Sequence, residues 1–525
     1  MKYDFDKLTD RLGSGSLKWE VREGELPMWV ADMDFEAPPA VRRAIEKQAA
    51  LGIYGYATTS DDFFSAVRDF RLRRHGIEEN ISSMIYSNGI VAAISSMVRR
   101  LTEPNENVLF LTPSFNLFFN STVNNGRRPL TSDLVLRDGE YFIDFEDLEE
   151  KLSDPQTSLM IFCNPHNPVG RIWTREELSR VGALARKYGV TVISDEIHCD
   201  LTDPRASRPF IPFALADEDC RKEVITCVAA SKSFNLAGLQ SACLIINDPH
   251  LRHKVWRGIN TDEVGEPNIF AISANIAAFR ECDGWLDELR EYLFENRRVA
   301  EEFIKERLPR LNAIHGEATY LMWIDVSAYT EDSVAFTEEV RRRTGLYLSE
   351  GREFGECGRR FVRMNLATQR ARLLDGLSRL ECAIREIEED YDYVFIDCPP
   401  SLGMLTINAL TSAIGVIIPM QCEYYALEGL SQLMVTISKI KKLFNAELEI
   451  CGILLTMYNG RLILTSQVVH ELKKYYKDKL FSTTISRNVK LSEAPSFGMP
   501  VYYHDRFCKG ATEYLEVAKE LITRI

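Results

Sequence analysis

Val224-Ile225-Thr226-Cys227-Val228-Ala229-Ala230, followed at once by Ser231-Lys232-Ser233-Phe234-Asn235-Leu236-Ala237-Gly238, decides the fold of this 525-residue chain. The apolar run reads as a strand buried on both faces, and a lysine stands just past its carboxyl end. Two runs of the same kind lie upstream. Ser158-Leu159-Met160-Ile161-Phe162-Cys163 leads to Asn167, and Val190-Thr191-Val192-Ile193-Ser194 leads to Asp195. Continuous rather than alternating apolar strands mark a parallel sheet covered on both sides, and in such sheets ligands gather at the carboxyl ends of the strands. An amide, a carboxylate and an amine met in that order predict an α/β domain whose site contains Asn167, Asp195 and Lys232.

Outward from these runs, strands and helices alternate. Pro38 and Pro39 are placed to open a helix to Ala50, with Gly52 positioned to close it, and Ser60 is placed to cap a second helix through Phe63, Val67 and Phe70. Ser87-Asn88-Gly89-Ile90-Val91-Ala92 reads as a turn into an apolar helix, whose first amides, Val91 and Ala92 among them, suit an anion. Beyond residue 285 the pattern changes to a long helix from Trp285 to about Arg310, a strand over Thr319–Val326 and another over Phe361–Leu366. In the last of these, Phe361, Arg363 and Asn365 share one face, so Arg363 is expected to be buried. A guanidinium there makes a planar two-point match with a carboxylate.

Composition excludes several classes. At 60.0 kDa the chain is too long for one ordinary core. Its net charge of -14 argues against a dedicated nucleic-acid binder. No apolar run is long enough for a membrane span, and the opening residues, with charges among Met1-Lys2-Tyr3-Asp4-Phe5-Asp6-Lys7, lack an apolar signal core, so a cytoplasmic location is expected. Twelve cysteines show no Cys-x-x-Cys pair, and eight histidines show no ligand spacing; buried free thiols and no metal site are expected. Cys163, Cys227, Cys243 and Cys451 fall inside apolar runs.

Six segments together carry a resemblance: Met28-Trp29-Val30-Ala31-Asp32-Met33-Asp34-Phe35, Tyr54-Gly55-Tyr56, Asn164-Pro165-His166-Asn167-Pro168-Val169-Gly170, Ser194-Asp195-Glu196-Ile197-His198, the Lys232 segment, and Phe361-Val362-Arg363-Met364-Asn365-Leu366-Ala367. Over residues 1–383 the chain resembles fold-type I pyridoxal 5'-phosphate enzymes, and within them the MalY/PatB group of cysteine-S-conjugate β-lyases. The resemblance implies a large, mostly parallel sheet domain over 46–285 and a small α+β domain over 286–385 joined by residues 1–45. It implies Lys232 as the Schiff-base lysine and Cα base, Asp195 as partner of the pyridine nitrogen, and Asn167 as donor to the ring oxygen. Phe115 aligns with the stacking aromatic, usually Tyr in this group. Ser231 is expected to assist the phosphate, because Ala229 stands where many relatives carry a serine. Tyr56 is expected to reach the phosphate of a neighbouring subunit in a homodimer, and Arg363 to hold the substrate carboxylate. For His198 two readings stay open, approach to the ring oxygen and a satisfied interior residue. The implied reaction is α,β-elimination of an amino-acid thioether such as cystathionine, with transamination as the rival.

Near residue 387 the sequence changes character without a linker. Asp392-Tyr393-Val394-Phe395-Ile396-Asp397-Cys398-Pro399-Pro400-Ser401-Leu402-Gly403, Gln421-Cys422-Glu423-Tyr424-Tyr425-Ala426-Leu427-Glu428-Gly429-Leu430 and Arg487-Asn488-Val489-Lys490-Leu491-Ser492-Glu493-Ala494-Pro495 resemble the carboxyl-terminal half of a ParA/Soj chromosome-partitioning ATPase. Residues 387–525 are thus expected to form an incomplete P-loop-NTPase-like α/β domain. The chain has no lysine-bearing glycine-rich loop of the kind that cradles nucleotide phosphates, so no ATPase activity is expected. An unpaired sheet edge is expected beside Phe395. The join leaves open a recombined or misassembled gene and selected bifunctionality. Lysines and arginines such as Lys439, Lys473 and Arg487 leave a DNA-associating or regulatory role as the second rival.

Overall fold

The computed structural model describes residues 2–389, 393–399, 401 and 403–524. Asp392, Pro400 and Leu402 of the Asp392–Gly403 motif lie outside the described residues. The chain divides into two compact units, Met1–Asp390 and Tyr391–Ile525.

The first unit is built on a seven-stranded sheet of β1 (Met84–Ser87), β2 (Asn107–Thr112), β3 (Arg128–Asp133), β4 (Thr157–Cys163), β5 (Thr191–Asp195), β6 (Ile225–Val228) and β7 (Ala242–Ile246). The spatial order is β1-β7-β6-β5-β4-β2-β3. All neighbours run parallel except β7, which is antiparallel to both β1 and β6. Along β4, Leu159, Ile161 and Cys163 enter one apolar core while Met160 and Phe162 enter the other. Burial of both faces is why these strands carry no polar alternation. The run expected to continue to Ala230 ends at Val228: Ala229 is the N-cap of a four-residue helix, Ala230–Ser233, that carries Lys232.

A second sheet has the order β8 (Asn312–Ile314), β9 (Leu321–Asp325), β11 (Phe361–Asn365), β10 (Ser349–Glu350), all antiparallel. Helices α1 (Asp283–Arg307) and α2 (Arg370–Glu389) contribute Ala300, Ile304, Leu373 and Leu377 to its core. Leu26–Pro27 pairs in parallel with Leu346–Tyr347, which ties the amino-terminal segment to this layer. The helix Pro39–Ala49 ends on Ala50, and Gly52 follows at φ +68°, as its placement suggested. Ser60 does occupy the N-cap of Asp61–His75, but its side chain makes no capping bond. Of the cysteines expected inside, Cys163, Cys227 and Cys243 are buried while Cys451 is only partly so.

The hairpin that carries Asn167 is locked from behind. His166 N donates to Arg171 O at 2.9 Å, Gly170 N to His166 O at 2.8 Å, and Ala318 N to Gly170 O at 3.0 Å. Gly170 has φ +71°, and an added Cβ would stand 2.6 Å from the Ala318 carbonyl oxygen. Neither backbone can yield, so Gly170→Ala is expected to destabilise the first unit by about 2 kcal/mol or more, read as a lowered urea midpoint.

The second unit contains the parallel pair β12 (Gly415–Gln421) and β13 (Glu449–Thr456). Helices Tyr424–Leu443 and Ile463–Tyr476 supply Leu430, Ile437, Val468 and Leu472 to one core, and Lys509–Arg524 supplies Val517 and Leu521 to another. The expectation of a strand edge beside Phe395 is corrected: Tyr393–Pro399 forms no strand, and Val394 and Phe395 are 84% and 67% exposed. A strand of this composition needs neighbours on both sides to bury its side chains and pair its amides. Lys441 and Lys490 form exposed ion pairs with Glu449 and Glu493, as solvated helix faces do.

Candidate functional site

The carboxyl ends of β4, β5 and β6 deliver Asn167, Asp195 and Lys232 to one end of the sheet, and β11 of the second sheet delivers Arg363. Arg363 is 5% exposed, and its Nη1 donates to Asn167 Oδ1 at 3.4 Å. That contact turns the Asn167 amide nitrogen away from Arg363 and leaves it as a donor to another group. Phe354 lies under the guanidinium, its ring centre 4.5 Å from Cζ.

Across these groups runs a strap, Trp29 to Asp34, held mainly by its carbonyls. Arg363 Nη2 donates to Trp29 O at 3.0 Å; Asn365 Nδ2 donates to Val30 O at 2.5 Å and Asp32 O at 2.6 Å. Lys232 Nζ and Tyr320 Oη both donate to Ala31 O, at 2.5 and 2.9 Å. Asn235, at φ +58°, returns its amide to the strap twice: Oδ1 accepts Met33 N at 3.1 Å and Nδ2 donates to Met33 O at 3.0 Å. Asp34 anchors the far end, buried against Lys18 Nζ and Arg11 Nη1, both at 2.9 Å, and Trp19 Nε1 at 2.8 Å. Tyr320, Asn235 and the strap carbonyls were not singled out from sequence as parts of the site. Asn235 and Asn365 stand inside the quoted motifs, so the signal was present without its geometry.

The electrostatics follow from crowding. Burial, helped by the Arg363 charge, lowers the Lys232 amine to about 8 against the opposing pull of Asp32 and Asp195. Burial raises the Asp195 carboxyl to about 7, although Ile197 N donates to it at 3.1 Å and Lys232 attracts it. His198 is buried and lowered to about 3 by burial and by the Lys232 and Arg363 charges, so its ring is neutral. Arg363 is lowered by burial to about 10 and stays charged at neutral pH. Because free amine grows as pH rises through about 8, capture of a small aldehyde by Lys232 in the cofactor-free chain should rise roughly tenfold per pH unit below that value and level off above it. Peptide mapping of the borohydride-reduced adduct measures it.

The remaining expected residues are placed as follows. Gly89, at φ +100°, turns the chain from β1 into the helix Ile90–Leu101, so Val91 and Ala92 lie in its first turn with amides that no intrahelical carbonyl reaches. Phe115 is half-buried at the head of Asn116–Val123, edge-on to Phe118 at 5.7 Å. Ser231 is half-buried in the Lys232 helix. Tyr56 is fully exposed, so it adds nothing to the pocket of its own chain.

Asn88 Oδ1, Ser114 Oγ, His198 Nδ1 and Arg363 Nε are buried without a hydrogen-bond partner among the described residues. Buried polar atoms are rarely left so, and two of these, on His198 and Arg363, lie in the field of the Lys232 amine, which fits a polar, anionic aromatic cofactor.

Comparison with known proteins agrees with this geometry. The family model for aminotransferase class I and II matches residues 26–380, and a model for an AAA domain matches residues 362–450. Cystathionine beta-lyase PatB of Bacillus subtilis is 40% identical over 388 residues, covering 73% of this chain and all of that protein. The crystal structure of cystalysin from Treponema denticola, which contains pyridoxal 5'-phosphate, superposes with a TM-score of 0.71 at 32% identity, covering 74% of this chain and all of cystalysin. The sporulation initiation inhibitor protein Soj of Bacillus subtilis is 54% identical over 143 residues, which are 27% of this chain and 56% of Soj. The chain therefore spans only about half the length of that relative.

Proposed function

We propose the function from one premise: this chain belongs to the aminotransferase class I and II family, as a pyridoxal-phosphate-dependent carbon–sulfur β-lyase of the cystathionine β-lyase kind. The observation that carries the reading is one partly buried amine, Lys232, lowered to about 8 and set in the fields of Asp195 and Arg363; the more deeply buried Lys18 is held instead in an ion pair with Asp34. The amides of Val91 and Ala92 would hold the cofactor phosphate, with Ser231 beside them. Phe115 would pack on the ring, Asn167 and His198 would face its oxygen, and Asp195 would face its nitrogen. When bound, the cofactor supplies an electron-withdrawing ring that stabilises negative charge developing at the substrate Cα.

The chain's own residues do the rest. Arg363 fixes the substrate α-carboxylate, and Asn167 and Trp29 O keep the guanidinium in place. Lys232, whose amine is about half free at pH 8, takes the Cα proton. Loss of that proton expels the thiolate from Cβ, and the released enamine takes up water to give pyruvate and ammonia. Asp195 stays anionic once a cation faces it, which reverses the upward push of burial. Tyr56, exposed on its own chain, would complete the phosphate site of a partner in a homodimer.

Purified full-length protein given cystathionine is expected to release pyruvate, ammonia and a free thiol with no keto acid added. Turnover that requires a keto acid would replace this reading with transamination. Residues 391–525 would add no nucleotide hydrolysis, since the sequence supplies no phosphate-cradling loop.

A further inference from the structure

Behind the Lys232 helix lies a hydrogen-bonded relay that the reaction above does not use. Ser233 Oγ donates to Asp200 Oδ2 at 2.7 Å, and His75 Nε2 pairs with Asp200 Oδ1 at 2.8 Å. Ser233 and Asp200 are buried, and Asp200 lies in the turn that follows Asp195 and carries His198. That turn is closed by Cys199 N to Glu196 O at 3.0 Å and Leu201 N to His198 O at 2.9 Å. It is tied to the strap side of the pocket by Thr319 N to Leu201 O at 2.7 Å, one residue before Tyr320.

A four-residue helix is too short to hold itself, because nucleation leaves most of its amides and carbonyls without intrahelical partners. Its lysine must therefore be aimed from outside. Phe234 packs into the core beside Phe70 and Trp285, Asn235 bonds to the strap at Met33, and Ser233 bonds to Asp200. The last is the side-chain bond, among the described residues, that joins the helix to the loop after Asp195, beyond the strand pairing that ends at Glu196 N to Cys227 O, 2.9 Å. We propose that Asp200 is a positioning residue: through Ser233 it locks the turn that aims the Lys232 amine to the loop that carries Asp195 and His198, so that base, carboxylate and imidazole move as one body. This inference rests on the lyase reading and deepens it.

The charges around Asp200 suit that task. Burial pushes its carboxyl up, but the bonds from His75 and Ser233 and the nearby Arg74 outweigh it, and the group is held below the ordinary carboxylate range. Arg290 also faces it, and Cys199 is its neighbour in the turn. His75, Cys199 and Asp200 bring ligand-type atoms within 4.8 Å of one another. A cation has little to gain there, since both Asp200 oxygens are engaged and the Arg71 charge bears on Cys199. Around the amine itself the facing charges are Arg363, Asp32 and Asp195.

The test uses the full-length chain and three variants, Ser233→Ala, Ser233→Thr and Asp200→Asn. Without cofactor, the pH profile of Lys232 capture by formaldehyde and cyanoborohydride is read by peptide mass spectrometry. With pyridoxal phosphate, kcat and KM for pyruvate release and cofactor retention through dialysis are read. In Ser233→Ala the capture midpoint is expected to move up by about one pH unit toward ordinary lysine as the amine gains water. Its kcat is expected to fall about ten- to hundredfold with KM within about twofold. Ser233→Thr, which keeps the hydroxyl, should restore both, and Asp200→Asn should match Ser233→Ala or exceed it. A folded Ser233→Ala whose midpoint and kcat equal those of the parent overturns the proposal, whether or not Asp200→Asn folds. Should the parent itself fail to retain cofactor, the lyase reading falls, while the capture profile still decides the role of Asp200.

Discussion

Lys232→Ala is expected to lower pyruvate release from cystathionine by about a thousandfold or more, the scale of a lost general base. It should also abolish covalent retention of pyridoxal phosphate after borohydride reduction. The expectation follows from position: Nζ lies 2.5 Å from the Ala31 carbonyl, and the amine sits in the fields of Asp195 and Arg363. Other lysines of the first unit, such as Lys7, Lys151 and Lys187, are drawn into ion pairs at the surface. Truncation to Ala removes one hydrogen bond, to the strap at Ala31, among the described residues, so the urea midpoint should change little. A variant that still traps cofactor on reduction would show that another amine carries the chemistry.

Asp195→Asn is expected to lower kcat by about a hundredfold or more, because removing one charge of a buried pair leaves its partner uncompensated. The same substitution makes a separate prediction for the cofactor-free chain. There Asp195 is raised to about 7, so folding favours its neutral form. That contribution to stability is complete below the ordinary carboxylate pKa and is lost as pH rises through about 7. An amide cannot ionise. The parent should therefore lose stability relative to Asp195→Asn as pH rises from the ordinary carboxylate range to about 7, seen as a urea midpoint that falls against that of the variant over that span. Parallel pH dependences in the two proteins would place Asp195 outside the buried pocket.

The sheet and its polar ends were legible because a strand buried on both faces can tolerate few polar residues, and Asn167, Asp195 and Lys232 follow such strands directly. Arg363 was legible from period-two alternation. The strap was not. The bonds that tie it to Lys232, Asn235, Tyr320, Arg363 and Asn365 join residues 201 to 335 positions apart, such as Lys232 to Ala31 and Asn365 to Val30, and no local pattern encodes them. The pairing of Ser233 with Asp200 was hidden for the same reason, since a serine after a lysine and an aspartate in a turn each have ordinary local uses. In the second unit the error at Phe395 had the opposite cause. Val394, Phe395 and Ile396 have the composition of a strand, but a strand exists only with neighbours, and sequence composition says nothing of whether they are supplied.

Because the strap from Trp29 to Met33 is gripped largely by its peptide oxygens, every amino acid except those that distort the path offers its anchors the same handle. Variation should therefore be unevenly tolerated: the held side chains of Val30 and Ala31 are free to drift and retune which thioether fits beside them, whereas Asp32 in its ion pair with Arg11, Met33 in the core, and the distant Asn235, Tyr320, Arg363 and Asn365 that do the gripping are not. Laboratory evolution aimed at new substrates would best randomise those two held residues and leave the holders alone.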